Sequence, residues 1–244
     1  MTSFVKDAKQ SKTRRTSTSL VKQVRRRVVI SIQSHRDAAL RHFKRVDPHF
    51  HKATKPFHTS LPEKLPGKST RAKLFQSLIS IVIAQQLGTA VADTIFTRVM
   101  KVCGGQLTPE SVLKAHPAAF RKAGLSGAKT KTLKAIAAAI NDNSLDLLLL
   151  KRIPETDAAK TLMSIWGLGP WSIEMFMMHS LGRSDIFSPG DLGLIRAIEM
   201  IYGLPKNTPR HSLLAIAEKW SPYRTYASLL LWRTRDAAKR NNMY

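Results

Sequence analysis

The chain has 244 residues, with 40 Lys and Arg against 16 Asp and Glu, and a formal net charge of +24. That excess is larger than solubility needs and favours phosphate-rich partners over acidic small molecules. With 43% hydrophobic residues a sizeable core is available. No run approaches the about 18 apolar residues of a membrane span, and a lone cysteine excludes an intrachain disulfide, a four-cysteine zinc site and an iron–sulfur cluster.

Residues 1–31 are rich in Lys, Arg, Ser and Thr, carry Asp7 as their only acid, and contain the run Val24-Arg25-Arg26-Arg27-Val28. They read as a flexible basic arm. Phosphate contact, a nuclear-localisation signal, a mitochondrial presequence and a plain solvated tail all fit it, whereas no apolar stretch supports a secretory signal. Residues 32–244 read as one helical domain. His35, His42, His49, His51 and His58 have no Cys or Glu at metal spacing, so they are expected to meet solvent or phosphate, and no metal site is expected. Leu74, Leu78, Ile81 and Val82 recur at helical spacing, and Gln85-Gln86-Leu87-Gly88 ends that helix in a loop. Cys103 reads as a buried structural thiol. Leu133, Ile136, Ala137 and Ile140 mark a further helix, and Gly104-Gly105, Gly124, Gly127 and Gly182 punctuate the pattern. No alternating Val/Ile/Thr-rich run is bounded by hairpin turns. The predicted fold class is all-α, with roughly ten short helices.

Pro154 opens a helix with Ala158, Leu162 and Ile165 along its apolar face. Gly167-Leu168-Gly169-Pro170 then turns the chain into a second helix, giving a helical hairpin over 154–181. Two glycines one residue apart allow positive φ and a close backbone approach, and the amides that follow suit an anion. Pro170 fits the first turn of the second helix. Taken alone, the same glycines also fit an ordinary αα-corner. Lys160 and Arg183 flank the hairpin as surface charges within reach of a phosphate. Downstream, the loop 187–194 delivers Asp191 after Ser188-Pro189-Gly190, at the start of a predicted helix Leu192–Tyr202. Asp191 suits an N-cap, and equally a carboxylate set against an electron-poor sugar carbon. Asp185 reads as a loop or surface residue.

Four stretches, in this order and spacing, carry a resemblance: Ile83-Ala84-Gln85-Gln86-Leu87, Trp166-Gly167-Leu168-Gly169-Pro170-Trp171, Phe187-Ser188-Pro189-Gly190-Asp191-Leu192-Gly193-Leu194 and Trp220-Ser221-Pro222-Tyr223-Arg224-Thr225-Tyr226-Ala227. From about Arg36 to Arg233 the chain resembles the helix–hairpin–helix–Gly/Pro–Asp superfamily, in particular its 3-methyladenine DNA glycosylase II (alkylbase DNA glycosylase) branch. The resemblance implies two helical lobes, with the C-terminal helices returning beside the N-terminal ones and an active cleft between them. It implies a monomer that flips alkylated purines such as 3-methyladenine or 7-methylguanine out of double-stranded DNA and hydrolyses the N-glycosidic bond, with no cofactor. Asp191 would be the catalytic carboxylate. Gly167, Leu168 and Gly169 would bind the DNA backbone, where relatives also hold a monovalent cation on hairpin carbonyls. Trp171, Met175 and Trp232 would line the base pocket, with core packing the alternative for each. Gln85, Gln86 and Leu87 would form the loop that enters the duplex, Gln86 or Leu87 as the wedge and Gln85 ordering the loop; a buried helix junction is the alternative.

Relatives that also cut the DNA strand place a lysine two residues after the second hairpin glycine. Here that residue is Trp171, which cannot form a Schiff base, so the resemblance implies a monofunctional enzyme. A non-enzymatic DNA-binding module built on the same hairpin, a bifunctional glycosylase/lyase, and a glycosylase for other purine lesions are the competing readings. The expected location is nuclear in a eukaryote and cytoplasmic, at the nucleoid, in a bacterium.

Deleting residues 1–31 is expected to leave base excision intact and to make DNA binding less salt-sensitive. Removing one cationic side chain from a phosphate lowers the log–log salt slope by about 0.9 for duplex DNA. Binding isotherms across a salt series check this, and loss of excision would make the arm part of the folded domain.

Overall fold

The computed structural model describes residues 34–68 and 70–240, so the basic arm predicted over 1–31 lies outside the described residues. Twelve α-helices make up the described chain: α1 (His35–Val46), α2 (Pro48–Ala53), α3 (Arg71–Ala84), α4 (Thr89–Val102), α5 (Pro109–Lys114), α6 (Pro117–Lys122), α7 (Gly127–Asn141), α8 (Glu155–Met163), α9 (Pro170–Phe176), α10 (Leu192–Tyr202), α11 (Arg210–Glu218) and α12 (Arg224–Arg240). No strand occurs among the described residues. Local chemistry sets many of the helix starts. Ser34, Asp47, Thr70, Thr108, Ser126 and Asp191 each accept a backbone N–H of the first turn, and Pro occupies the first turn of α2, α5, α6 and α9.

The helices bury two separate cores. The larger is built from α3–α9 and the loops between them, around Leu74, Leu78, Val82, Phe120, Leu133, Ile136, Leu162 and Phe176. The smaller joins α1 and α2 to α10–α12, around Phe43, Phe50, Leu194, Ile198, Trp220, Tyr226 and Leu230. The C-terminal helices therefore pack against the N-terminal ones, as the resemblance implied. The chain leaves the small lobe after Leu65 and returns between Ile186, which belongs to the large core, and Phe187, which belongs to the small one. Loop 187–194 thus sits on the seam between the lobes. Trp232 packs against both cores and closes that seam.

Polar groups fasten the seam and the small lobe. Thr225, buried at the start of α12, accepts from Ile186 N at 3.0 Å, donates its hydroxyl to Arg183 O at 2.7 Å, and donates its own N–H to Ser184 O at 3.0 Å. In the small lobe the buried Asp47 accepts from the Tyr202 hydroxyl, from Trp220 Nε1 at 3.1 Å and from Phe50 N at 3.0 Å. Burial, reinforced by that carboxylate, pushes the Tyr202 hydroxyl far above its ordinary pKa. His35 and His49 are exposed, as expected, but three of the five histidines also make internal hydrogen bonds. His42 Nε2 donates to Lys219 O at 3.0 Å and His49 Nε2 to Ile201 O at 2.7 Å, while His58 pairs with the Thr54 hydroxyl. His42 and His49 cap carbonyls at the ends of α11 and α10, and so brace the lobe instead of waiting for phosphate. Cys103 is buried, as predicted, and burial raises its thiol pKa.

Asp47→Ala would leave an indole, a phenol and an amide without their acceptor in a buried site. A loss of about 3 kcal/mol is expected, read as a lower denaturant midpoint at unchanged m-value. A variant as stable as the parent would remove Asp47 from the set of lobe-defining contacts.

Candidate active site

Asp191 caps α10, its Oδ1 accepting Leu194 N at 2.9 Å. The same Oδ1 accepts Trp232 Nε1 at 3.0 Å, and Oδ2 accepts Trp171 Nε1 at 2.9 Å. The two roles that the sequence left as alternatives, cap and exposed acid, therefore fall on different parts of one carboxylate. A carboxylate offers about four acceptor sites. Three are taken, and the fourth, on Oδ2, remains for a ligand on the partly exposed side of the group.

Gly193 makes this arrangement possible. A Cβ there would lie 2.7 Å from Arg235 Nη1, 2.9 Å from Asp191 Oδ1 and 3.1 Å from Trp232 Cδ1. The missing side chain is what lets α12 press its indole and guanidinium onto the start of α10. Arg235 thereby becomes a cation beside Asp191. Its three-residue spacing from Trp232 was visible in the sequence, but not its direction.

The hairpin joins α8 to α9. Gly167 sits at φ +86°, and a Cβ on it would come within 1.9 Å of the Thr132 hydroxyl, so both backbone and packing demand glycine. Gly169 differs: its φ is −100° and nothing lies within 4 Å of where a Cβ would be. Of the two uses of glycine that the sequence offers, Gly167 takes the positive φ and Gly169 keeps the outer surface bare. Leu168, expected to bind the DNA backbone, turns its side chain into the large core at 4% exposure and donates its N–H to Ile165 O at 3.1 Å. Trp166 is exposed, and the Lys131 ammonium stands 4.2 Å from its ring centroid. Lys160 is exposed as predicted. Arg183 is not a free surface charge, because it donates to the carbonyls of Leu150 and Ile153.

The loop after α3 is tied to the hairpin. Gln85 Nε2 donates to Ser172 Oγ at 2.7 Å and to Gly167 O at 3.3 Å, which orders the loop as anticipated. Lys129, which no sequence motif marks, donates its ammonium to Ile83 O and Gln85 O at 2.7 and 2.8 Å; burial lowers its pKa. It neutralises the carbonyl end of α3. Gln86 follows at φ +59°, and both Gln86 and Leu87 are exposed.

Of the three pocket candidates, Trp171 and Trp232 converge on Asp191. Met175, one turn after Trp171 on α9, is 6% exposed and belongs to the large core, in keeping with the core-packing alternative. Two residues outside the predicted set do approach. Glu174 on α9 accepts the hydroxyl of buried Ser188. Burial raises its pKa, the Ser188 bond opposing and the Asp191 charge adding to that rise. His179, in a π-helical turn Met177–Leu181, stacks on Trp232 with centroids 5.5 Å apart and planes at 29°. Asp185 lies in a loop, as expected, and is an anchor there: it accepts Arg224 Nε at 2.8 Å, Arg224 Nη2 at 3.0 Å and Ser221 Oγ at 2.8 Å. Burial alone would raise its pKa, but those bonds leave it lowered.

The two hairpin glycines are expected to separate. Gly167→Ala collides with Thr132 and should destabilise the fold by on the order of 1–3 kcal/mol. Gly169→Val meets no protein atom and should melt like the parent while weakening binding to abasic-analogue DNA. Thermal melts and binding isotherms on both variants check this; unchanged affinity in Gly169→Val would remove the hairpin from the DNA contact.

Residues 79–222 match the family model described as HhH-GPD superfamily base excision DNA repair protein. DNA-3-methyladenine glycosylase 1 of Schizosaccharomyces pombe is 30% identical over 177 residues, covering 71% of this chain and 78% of that protein. The Bacillus subtilis protein YfjP is 29% identical over 168 residues, 66% of this chain, which spans 58% of that protein's length. Among solved structures, the Bacillus halodurans DNA-3-methyladenine glycosidase superimposes with a TM-score of 0.67 at 32% identity, covering 84% of this chain and 91% of that one. The Schizosaccharomyces pombe 3-methyladenine DNA glycosylase in complex with abasic DNA does so with a TM-score of 0.71 at 28% identity, over 80% and 95%. With the glycine hairpin, the Pro-Gly-Asp loop on the lobe seam and this extent of match, the chain belongs to the HhH-GPD superfamily of base excision DNA repair proteins.

Proposed function

We propose that this chain is a monofunctional glycosylase that excises alkylated purines from double-stranded DNA by hydrolysing the N-glycosidic bond. One observation carries the reading: an aspartate on the lobe seam, gripped by two indoles and retaining an open acceptor site, beside a bare glycine hairpin. The names of the similar proteins, DNA-3-methyladenine glycosylases, supply the lesion class.

Breaking the bond develops positive charge at the sugar C1′. The open lone pair of Asp191 Oδ2 is the group that stabilises this charge and orients the attacking water. Trp171 and Trp232 offer aromatic faces that attract a cationic methylated purine. Such a base leaves without a strong general acid. Trp171 occupies the position where strand-cutting relatives carry lysine, which supports base release without strand cleavage. Gly169 and the hairpin amides approach a phosphate, while Gln86 or Leu87 fills the space that the flipped nucleotide vacates at a cost of a few kcal/mol. Gln86 is the better wedge. It is exposed, has a left-handed backbone and directly follows the anchored Gln85.

The cation that the resemblance implies fits the hairpin's donor set. The Ile165, Gly167 and Gly169 carbonyls each accept one hydrogen bond, from Leu168 N, Gln85 Nε2 and Ile173 N, and keep a second lone pair. These oxygens would hold it, and it would add positive charge next to a DNA phosphate.

Methylated duplex DNA tests the reading. Free alkylpurine with strands that break only after alkali is the expected product; direct nicking, or no base release, would overturn it. Asp191→Asn keeps the helix cap but removes the charge and deprives one indole of its acceptor. Lesion-DNA binding should persist, and single-turnover release should fall by on the order of 10²–10³, as for loss of one oxyanion-hole donor. The loss should be smallest for 7-methylguanine, whose base leaves most readily, and larger for neutral hypoxanthine. An Asp191→Asn enzyme with parental rates would reduce Asp191 to a helix cap.

A further inference from the structure

The wall of the cleft contains one titratable aromatic group that base hydrolysis at Asp191 does not use. His179 lies eight residues after Trp171. On a regular α-helix that position would have rotated away from the Trp171 face. The π-helical turn Met177–Leu181 holds one extra residue per turn and brings it back, and such turns recur at functional sites. The imidazole lies over Trp232, whose Nε1 is bonded to Asp191, so histidine, indole and carboxylate form a continuous series. The histidine is exposed overall, with its ring packed on the Trp232 indole.

We infer that His179 sets lesion charge preference: as a neutral ring it accepts cationic alkylpurines, and as an imidazolium it rejects them in favour of neutral bases. Resting on the glycosylase reading above, this assigns a specificity-determining role to a residue outside Asp191 and the two tryptophans. The surrounding charges are Lys68 from the segment before α3, Asp191 at the start of α10, Arg235 from α12 beside Asp191, and Glu174 from α9, hydrogen-bonded under the loop through Ser188. Burial, and then the Lys68 charge, lower the His179 pKa, with Asp191 opposing. The ring is therefore neutral at neutral pH and gains its proton only in acid. A proton there puts a like charge against a methylated base that already carries one. Hypoxanthine carries none, so the same proton does not repel it and can donate a hydrogen bond to it.

The test is single-turnover release of 3-methyladenine and of hypoxanthine from duplex DNA between about pH 5 and about pH 8. In the parent enzyme the ratio of the two rates is expected to fall by about tenfold on acidification, the size of one like-charge contact at an effective dielectric between surface and water. His179→Phe keeps Asp191 and Glu174, so any change of the ratio that these carboxylates cause persists in that variant and is separated from the change caused by His179. His179→Phe, or His179→Gln should the first not fold, cannot titrate in this range and should flatten the ratio to within about twofold of its neutral-pH value. His179→Lys is cationic throughout and should show the acid-like ratio at every pH. A parent ratio that does not move, or one that moves equally in His179→Phe, overturns the inference while leaving the glycosylase reading intact. A parent enzyme that releases neither base at any pH overturns both.

Discussion

The Asp191 carboxylate accepts from the Trp171 indole on α9, the Trp232 indole on α12 and the Leu194 amide of its own helix. These donors come from both lobes, so the group is in place only when the two cores are docked. Docking in turn depends on details that have no chemistry of their own. Gly193 removes a side chain that would hold α12 away, and buried Thr225 staples the crossing segment at residues 183–186 to the start of α12. A carboxylate supported in this way is pre-organised by packing rather than by binding, which is what the proposed stabilisation of a developing cation requires.

The DNA-facing parts are wired to the same frame. Gln85 bridges the loop after α3 to the hairpin through Ser172 and the Gly167 carbonyl, and Lys129 holds the end of α3 through two carbonyls. The loop after α3 and the glycine hairpin are consequently one unit, fixed relative to α9 and hence to Trp171.

Charge is distributed unevenly around this frame. A chain of net charge +24 concentrates two carboxylates, Asp191 and Glu174, at the heart of its cleft, and Glu174 is buried enough that its pKa rises. The surrounding positive field attracts phosphate and steers association, while the local negative charge suits an electron-poor sugar and a cationic base. His179 stands at the boundary between these two regimes, with Lys68 on one side and Asp191 on the other.

Much of this was legible in the sequence because it is local. Helix starts at Pro154, Pro170 and Asp191, the apolar spacing in α3 and α7, the turn glycines and the order of four short motifs depend on residues a few positions apart, and they carry the all-α class, the hairpin, Asp191 and the two indoles. Tertiary structure alone decided the rest. That Met175 is buried in the large core follows from how α9 docks on its neighbours. Whether Arg183 and Asp185 are loose charges or anchors depends on carbonyls and a guanidinium thirty or more residues away. The same holds for His42 and His49, which meet carbonyls from the far end of the chain. The glycines Gly167 and Gly169 look equivalent in sequence, yet Thr132 stands behind only the first. A π-helical turn leaves no mark in the pattern, so nothing in the sequence singles out His179: its place beside Trp232 follows from one extra residue in a turn and from the docking of α12, neither of which a one-dimensional pattern contains.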